Sequence, residues 1–195
     1  MSVAVVRYNA GNIKSVVNAL ERIGATYCVT DDAQELQAAD RVIFPGVGAA
    51  SSAMEYLSAT GLDRTLVSLR SPVLGICLGL QLLCTRSEEG STECLGILPA
   101  EVRRFIEPEK VPHMGWSKVT NLTHPIFGGI PEGSYFYFVH SYRLEPCKEM
   151  VASCTYVERF SAAAASQNFV GVQFHPEKSA EVGEKVLRNF LEWKV

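Results

Sequence analysis

The residues best placed to do chemistry are a cysteine and a histidine that lie far apart in the chain. Cys77 stands in Gly75-Ile76-Cys77-Leu78-Gly79, where the apolar run Pro72-Val73-Leu74 gives way to a helical pattern (Leu78, Leu82, Leu83). A nucleophile between two small residues on a tight strand-to-helix turn forms an elbow that exposes its reactive atom. At the start of a helix the unpaired N–H groups and the macrodipole favour a thiolate over a thiol. The same five residues also fit a buried strand and a core helix, with Cys77 as a small apolar filler. The rest of the chain has to separate the two.

A cysteine nucleophile needs a base, and the chain has four histidines. His113 lies in Val111-Pro112-His113-Met114-Gly115-Trp116, a loop-like segment, and His124 precedes Pro125 in a turn. His140 ends a strand-like run over residues 135–139, and His175 opens His175-Pro176-Glu177 after an apolar run over residues 170–174. Proline keeps the preceding residue out of the helical region. In an extended segment alternate residues point the same way, which brings Glu177 beside His175. A carboxylate on an imidazole fixes its tautomer and stabilises its charged form. The reaction also needs donors for a developing oxyanion. The spacing offers the N–H of Leu78 and the Gly46-Val47-Gly48 loop, whose glycines reach conformations closed to other residues. Residues 46–51 fail as a dinucleotide fingerprint, because the third glycine is missing and the segment does not follow the first strand. The Lys-Ser/Thr of a phosphate loop is also absent.

These groups need a scaffold, and the chain alternates between strand and helix patterns. Strands are predicted over residues 3–8, 26–29, 40–44 and 72–76. Helices are predicted from Ile13 to about Gly24, over residues 51–58, and over residues 62–69. Alternation at this density predicts a doubly wound, mostly parallel α/β sheet with helices on both faces. Active groups in such sheets gather beyond the carboxyl ends of the strands. After Glu93 short strand-like runs follow one another without a sizeable helix, and they predict antiparallel strands extending the sheet in the C-terminal half. A last helix, residues 179–193, shows one apolar face (Val182, Val186, Leu187, Phe190, Leu191). The 195 residues fit one domain.

Together, Gly75-Ile76-Cys77-Leu78-Gly79-Leu80-Gln81 and the late His175-Pro176-Glu177 resemble the class I glutamine amidotransferases, which have a flavodoxin-like fold. The resemblance spans nearly the whole chain. It also takes in Pro45-Gly46-Val47-Gly48, the segment from Pro112 to Trp116, Phe138-Val139-His140-Ser141-Tyr142-Arg143, and Gln173-Phe174-His175-Pro176-Glu177-Lys178-Ser179. It implies that Cys77, His175 and Glu177 form a catalytic triad that hydrolyses L-glutamine through a thioester. Gly46, Val47 and Leu78 are then the oxyanion residues. Gly46, Gln81, Glu89, Ser141 and Tyr142 are the glutamine-binding residues. It further implies a heterodimer in which ammonia passes to a separate (β/α)₈-barrel cyclase, with Asn12, Met114, Trp116 and Lys178 at the interface. No cofactor and no metal are implied. The chain departs from many relatives in its first turn, where Arg7-Tyr8-Asn9-Ala10 replaces an Asp-Tyr-Gly lead. Two alternatives stand beside this reading. One is another stand-alone glutaminase of the class, such as the one feeding pyridoxal phosphate synthesis, and the His113-Met114-Gly115-Trp116 segment speaks against it. The other is a non-enzymatic, redox-sensing α/β protein, which has no need of Glu177.

Composition narrows the remaining classes. A net charge of −3 and the lack of basic clusters interleaved with aromatics argue against a nucleic-acid partner. No apolar run reaches the ~20 residues of a membrane span, and Met1 leads almost directly into a strand pattern without a basic leader. These features predict a cytoplasmic protein without membrane partners. The six cysteines form no C-x-x-C pair and no zinc-like spacing, so five of them read as reduced, mostly buried thiols.

Overall fold

Alternate residues of the first strand feed two different cores. The computed structural model describes residues 1–9, 12–106 and 110–195. In β1 (Val3–Val6), Val3 and Val5 pack on one face of the sheet, and Ala4 and Val6 pack on the other. The order continues with α1 (Ile13–Arg22), β2 (Tyr27–Thr30), α2 (Ala33–Ala38), β3 (Arg41–Gly46), α3 (Ala50–Thr60), α4 (Leu62–Ser68), β4 (Val73–Cys77) and α5 (Leu78–Leu83). The strands β5 (Cys84–Ser87), β6 (Thr92–Glu93), β7 (Leu98–Arg104), β8 (His113–Thr120), β9 (Tyr135–His140), β10 (Tyr142–Leu144), β11 (Met150–Thr155), β12 (Arg159–Ser166) and β13 (Phe169–Val172) follow. The chain closes on α6 (Ala180–Glu192).

A nine-stranded sheet has the order β2-β1-β3-β4-β13-β12-β11-β8-β9. Its first five strands pair in parallel, in the doubly wound arrangement the alternation predicts. The antiparallel extension is also present, through β12, β11, β8 and β9. Helices α1 and α6 cover one face with Val16, Leu20, Val186, Leu187 and Phe190. The other face is covered by α2 to α5 and by a second sheet of order β10-β7-β5-β6.

That second sheet corrects the expectation that every late strand joins the main one. β5, β6 and β10 are too short to carry a period of two. Two further differences have local causes. Asp32 caps α2 by accepting hydrogen bonds from the N–H groups of Gln34 (2.8 Å) and Glu35 (3.0 Å), a signal legible in Asp32-Ala33-Gln34-Glu35. His113 is not in a loop. It opens β8, where it pairs with His140 of β9 and is buried.

The elbow depends on an unusually close approach of helix and sheet. Cys77 has φ 55° and ψ −108°, a conformation L-residues rarely adopt, and this turns the chain from β4 into α5. A Cβ on Gly79 would overlap the carbonyl oxygen of Phe44 in β3, and one on Gly75 would lie 2.9 Å from the backbone of Gly79 and Leu80. Glycine is required at both positions by contact, not by φ. Gly79→Ala is therefore expected to destabilise the fold by about 2–3 kcal/mol, the scale of overpacking. A lower urea midpoint at unchanged m-value checks this.

Candidate active site

Three adjacent strands deliver the site at their carboxyl ends. Gly46 of β3 lies in register with Cys77 of β4, and the chain beyond β13 carries Gln173, His175 and Glu177. A cavity of about 410 Å³ opens against the sulfur and is lined by Val47, Cys77, Leu78, Gln81, Glu89, Ser141 and Tyr142, among others. That volume suits a small ligand.

His175 and Glu177 meet as the spacing predicts, but by a different route. Pro176–Lys178 forms a 3-10 turn rather than an extended segment, and His175 Nδ1 lies 2.8 Å from Glu177 Oε1 with both side chains buried. The turn is pinned to β9. The His175 N–H donates to the Tyr137 carbonyl (2.9 Å), and the Ser179 hydroxyl donates to the His175 carbonyl (2.7 Å) while accepting from the Tyr137 N–H (3.0 Å). Gly183 lets α6 close over it, since a Cβ there would overlap the Pro176 carbonyl oxygen. His175 Nε2 is buried without an aligned hydrogen bond among the described residues. Burial works to lower the His175 pKa, but the Cys77 sulfur and the Glu177 carboxylate together outweigh it and push it up to about 10.

The sulfur has two further contacts. As a thiol it donates weakly to the Val139 carbonyl (3.9 Å), and it accepts from Gln173 Nε2 (3.6 Å). Gln81 is buried, and its Nε2 donates both to the Tyr142 carbonyl (2.9 Å) and to Gln173 Oε1 (3.0 Å). Both amide hydrogens are thereby committed, so Gln81 offers the cavity only its carbonyl oxygen. Glu89 Oε2 accepts from the Ala50 N–H at the start of α3 (2.7 Å), which orients the carboxylate at the cavity wall. Its neighbour Glu88 turns away, accepting from the Arg104 N–H (2.7 Å). Of the two neighbours, Glu88 is exposed and only Glu89 reaches the cavity.

The oxyanion candidates divide. Val47 and Leu78 line the cavity, whereas Gly46 lines a separate small crevice with Asn12, His175 and Glu177. Gly46 is also not the conformationally special glycine of this loop, for of the two only Gly48 has a positive φ (103°). Gly46 is needed because a Cβ would overlap the Tyr8 hydroxyl and lie 2.9 Å from Leu78 Cβ. Tyr8 accounts for part of the atypical first turn. Its hydroxyl donates to the Pro45 carbonyl (2.8 Å), and burial pushes its phenol well up. Arg7 pairs with Asp31 (2.7 Å), and Ala10 lies outside the described residues.

Met114, Trp116 and Tyr135 are the exposed large side chains of the β8–β9 face, and Lys178 Nζ lies 6.0 Å from the Tyr137 ring beside them. Asn12 is half-buried and accepts from the Ser15 hydroxyl (2.8 Å). On the inner side, His113 Nδ1 lies 3.0 Å from His140 Nε2, His113 Nε2 lies 2.7 Å from the Ser117 hydroxyl, and His140 Nδ1 lies 2.8 Å from the Tyr142 carbonyl. Burial lowers both imidazoles, to about 4 and about 3, so both are neutral. Of the six cysteines, all free, Cys28 is exposed, Cys94 and Cys147 are half-buried, and Cys84 and Cys154 are buried. Among the described residues no three His, Cys, Asp or Glu side chains gather as a metal site, and no helix is long and apolar enough to cross a membrane.

An elbow cysteine, a carboxylate-held histidine and a cavity with polar side chains in its wall, on a doubly wound sheet, define a hydrolase-type thiol site. The family model for class-I glutamine amidotransferases matches residues 4–193, and the chain belongs to that family. The imidazole glycerol phosphate synthase subunit HisH of Bacteroides thetaiotaomicron is 51% identical, the match covering 98% of this chain and all of that one. HisH of Shewanella sediminis is 45% identical, over 97% of this chain and 90% of its own. Solved structures agree in fold. A glutamine amidotransferase crystal structure superposes with a TM-score of 0.76 at 18% identity, covering 97% of each chain. PurLQS from Thermotoga maritima gives 0.71 at 19% identity, covering 98% of this chain and 97% of that one.

The His175 environment predicts a pH effect. The Glu177 carboxylate raises the imidazole pKa, so its loss lowers it. In Glu177→Gln the alkaline limb of the glutaminase profile is expected to move down by about one pH unit or more. A kcat/KM series against pH checks the direction.

Proposed function

We propose that this chain is the glutaminase subunit of an imidazole glycerol phosphate synthase, acting in the cytoplasm as one domain over residues 1–195. The observation that carries the reading is the placement of the Cys77 sulfur against a cavity that also receives Gln81, Glu89, Ser141 and Tyr142, behind which Glu177 holds His175. The full-length likeness to HisH proteins supports the choice within the family.

Glutamine enters with its ammonium group toward the Glu89 carboxylate and the Gln81 carbonyl oxygen, both of which only accept. Its carboxylate lies along Ser141 and Tyr142. The Cys77 thiolate attacks the side-chain amide carbon, and charge builds on the carbonyl oxygen, which the N–H groups of Leu78 and the 46–48 loop stabilise. The His175 imidazolium protonates the departing nitrogen, so the C–N bond breaks and ammonia leaves a γ-glutamyl thioester. His175, now neutral, takes a proton from water. The hydroxide attacks the thioester carbon, the C–S bond breaks, and glutamate departs from the restored thiolate. Glu177 keeps Nε2 aimed at the sulfur through both steps.

The ammonia is consumed by a separate (β/α)₈-barrel cyclase, which forms imidazole glycerol phosphate and aminoimidazole carboxamide ribonucleotide in histidine biosynthesis. The β8–β9 face receives the cyclase. Trp116 is 51% and Met114 62% exposed, and aromatic and methionine side chains are enriched at interface centres. Lys178 flanks that face, and Asn12 lines the crevice that also reaches His175 and Glu177.

Cys77→Ala is expected to abolish glutamine-dependent synthesis by the reconstituted pair and to leave ammonia-dependent synthesis intact. Loss of both would mean that Cys77 is structural. Trp116→Ala is expected to weaken the heterodimer about thirtyfold, roughly 2 kcal/mol, which titration calorimetry would measure.

A further inference from the structure

Gln173 is fully buried, yet it is an amide and not an apolar residue. Its backbone N–H donates to the Ala162 carbonyl (2.8 Å), which fixes the main chain just beyond β13. Its side chain lies between two residues of the site, with Oε1 3.0 Å from Gln81 Nε2 and Nε2 3.6 Å from the Cys77 sulfur. Which end of each amide faces which neighbour is decided by one backbone group. The Tyr142 carbonyl can only accept, so the Gln81 atom 2.9 Å from it is the nitrogen. That nitrogen's second hydrogen then points at Gln173, which must answer with oxygen. The Gln173 nitrogen is left facing sulfur.

The same Tyr142 carbonyl also accepts from His140 Nδ1, and with both histidines neutral the remaining tautomers follow. His140 Nε2 accepts from His113 Nδ1, and His113 Nε2 accepts from the Ser117 hydroxyl. The carbonyl is thus held from two sides and cannot rotate to release Gln81.

We infer that Gln173 is a further catalytic residue, whose side-chain N–H donates to the Cys77 thiolate and stabilises it in the resting enzyme. This rests on the glutaminase reading for its role in turnover, but not for its chemistry. The sulfur has two competing contacts. Its S–H to the Val139 carbonyl exists only for the thiol, whereas the N–H of Gln173 is strengthened when the sulfur is an anion. A hydrogen bond to a charged group is worth about tenfold or more in the thiolate equilibrium. The donor is also in place before substrate arrives, because Gln81 and Tyr142 orient it, so no reorganisation accompanies ionisation.

The test is the rate of carboxamidomethylation of Cys77 by iodoacetamide, in which thiolate displaces iodide, followed against pH at the Cys77 peptide by mass spectrometry. Gln173→Leu keeps the volume and removes the donor. It is expected to slow the reaction about tenfold at neutral pH, to move the rate profile to higher pH, and to lower kcat for glutamine more than it raises KM. Gln173→Glu, which puts a carboxylate against the sulfur, is expected to slow it further. Gln81→Met leaves Gln173 in place but frees its amide to turn, and should give a smaller shift in the same direction. A folded Gln173→Leu protein with the wild-type alkylation profile overturns the inference. If that variant does not fold, an unshifted profile in Gln81→Met overturns it instead. A wild-type chain that releases no glutamate with the cyclase would refute the proposed function, while the alkylation profiles would still decide the role of Gln173.

Discussion

Everything at this site follows from how closely α5 is allowed to approach the sheet. The backbone at Cys77 is held at φ 55°, which costs on the order of 1–3 kcal/mol for a residue with a side chain. It persists because α5 is locked against β3 and β4, and the lock consists of positions where no side chain fits. Gly79 lies on the Phe44 carbonyl, Gly75 lies under the first turn of α5, and Gly171 of β13 makes room for Leu80. Were any of these contacts looser, α5 could slide and the turn would relax. The sulfur is therefore aimed by backbone packing.

That constraint explains why so much of the site was legible in the sequence. Small residues at fixed offsets around a cysteine are the visible trace of a close approach, and His175-Pro176-Glu177 carries its own geometry within three residues. What stayed hidden depends on contacts between distant segments. His113 reads as loop because Pro112 and Gly115 flank it, yet pairing with His140 draws it into β8. Gly46 reads as a flexible loop glycine, but the phenol of Tyr8, thirty-eight residues earlier, is what demands it. Gln173 gives no signal by spacing, since its partners come from α5 and from the end of β4. The second sheet was missed for a related reason. Three of its four strands are short, and Leu98, Ala100 and Val102 of the fourth pack with Leu144 against helices already placed.

Polar groups in this interior are oriented by backbone carbonyls more than by ion pairs. Tyr142 supplies the acceptor that settles two amides and two imidazoles, and Pro45 supplies the one that settles Tyr8. A carbonyl on a paired strand is a rigid, acceptor-only reference, so each side chain touching it has its donor end decided. Buried networks of this kind are worth more than their separate bonds, because a reversed amide would leave donors facing donors. Arg143 shows the contrast. Its Nη2 lies 2.6 Å from Glu158 and its Nη1 3.8 Å from Glu145, yet Nε and Nη1 make no aligned hydrogen bond among the described residues, and the guanidinium lies 6.0 Å from the Phe105 ring, outside the cavity wall.

The strand that carries the proposed partner face also holds the base. Tyr137 of β9 presents its ring outward beside Trp116 and Lys178, while its backbone N–H and carbonyl hold Ser179 and His175. The inward side of the same β8–β9 ribbon carries His113 and His140, which lead to the Tyr142 carbonyl and so to Gln81. A rigid shift of this ribbon therefore cannot leave the site unchanged, because it moves the His175 main chain and the acceptor of Gln81 together. A surface loop bearing Trp116 would lack that property. Any displacement of that ribbon would be carried to the site through hydrogen-bonded backbone of fixed length, in a packed interior that does not deform continuously. The two groups that set the charge and aim of the sulfur, an imidazole on one side and an amide on the other, thus answer to one structural element.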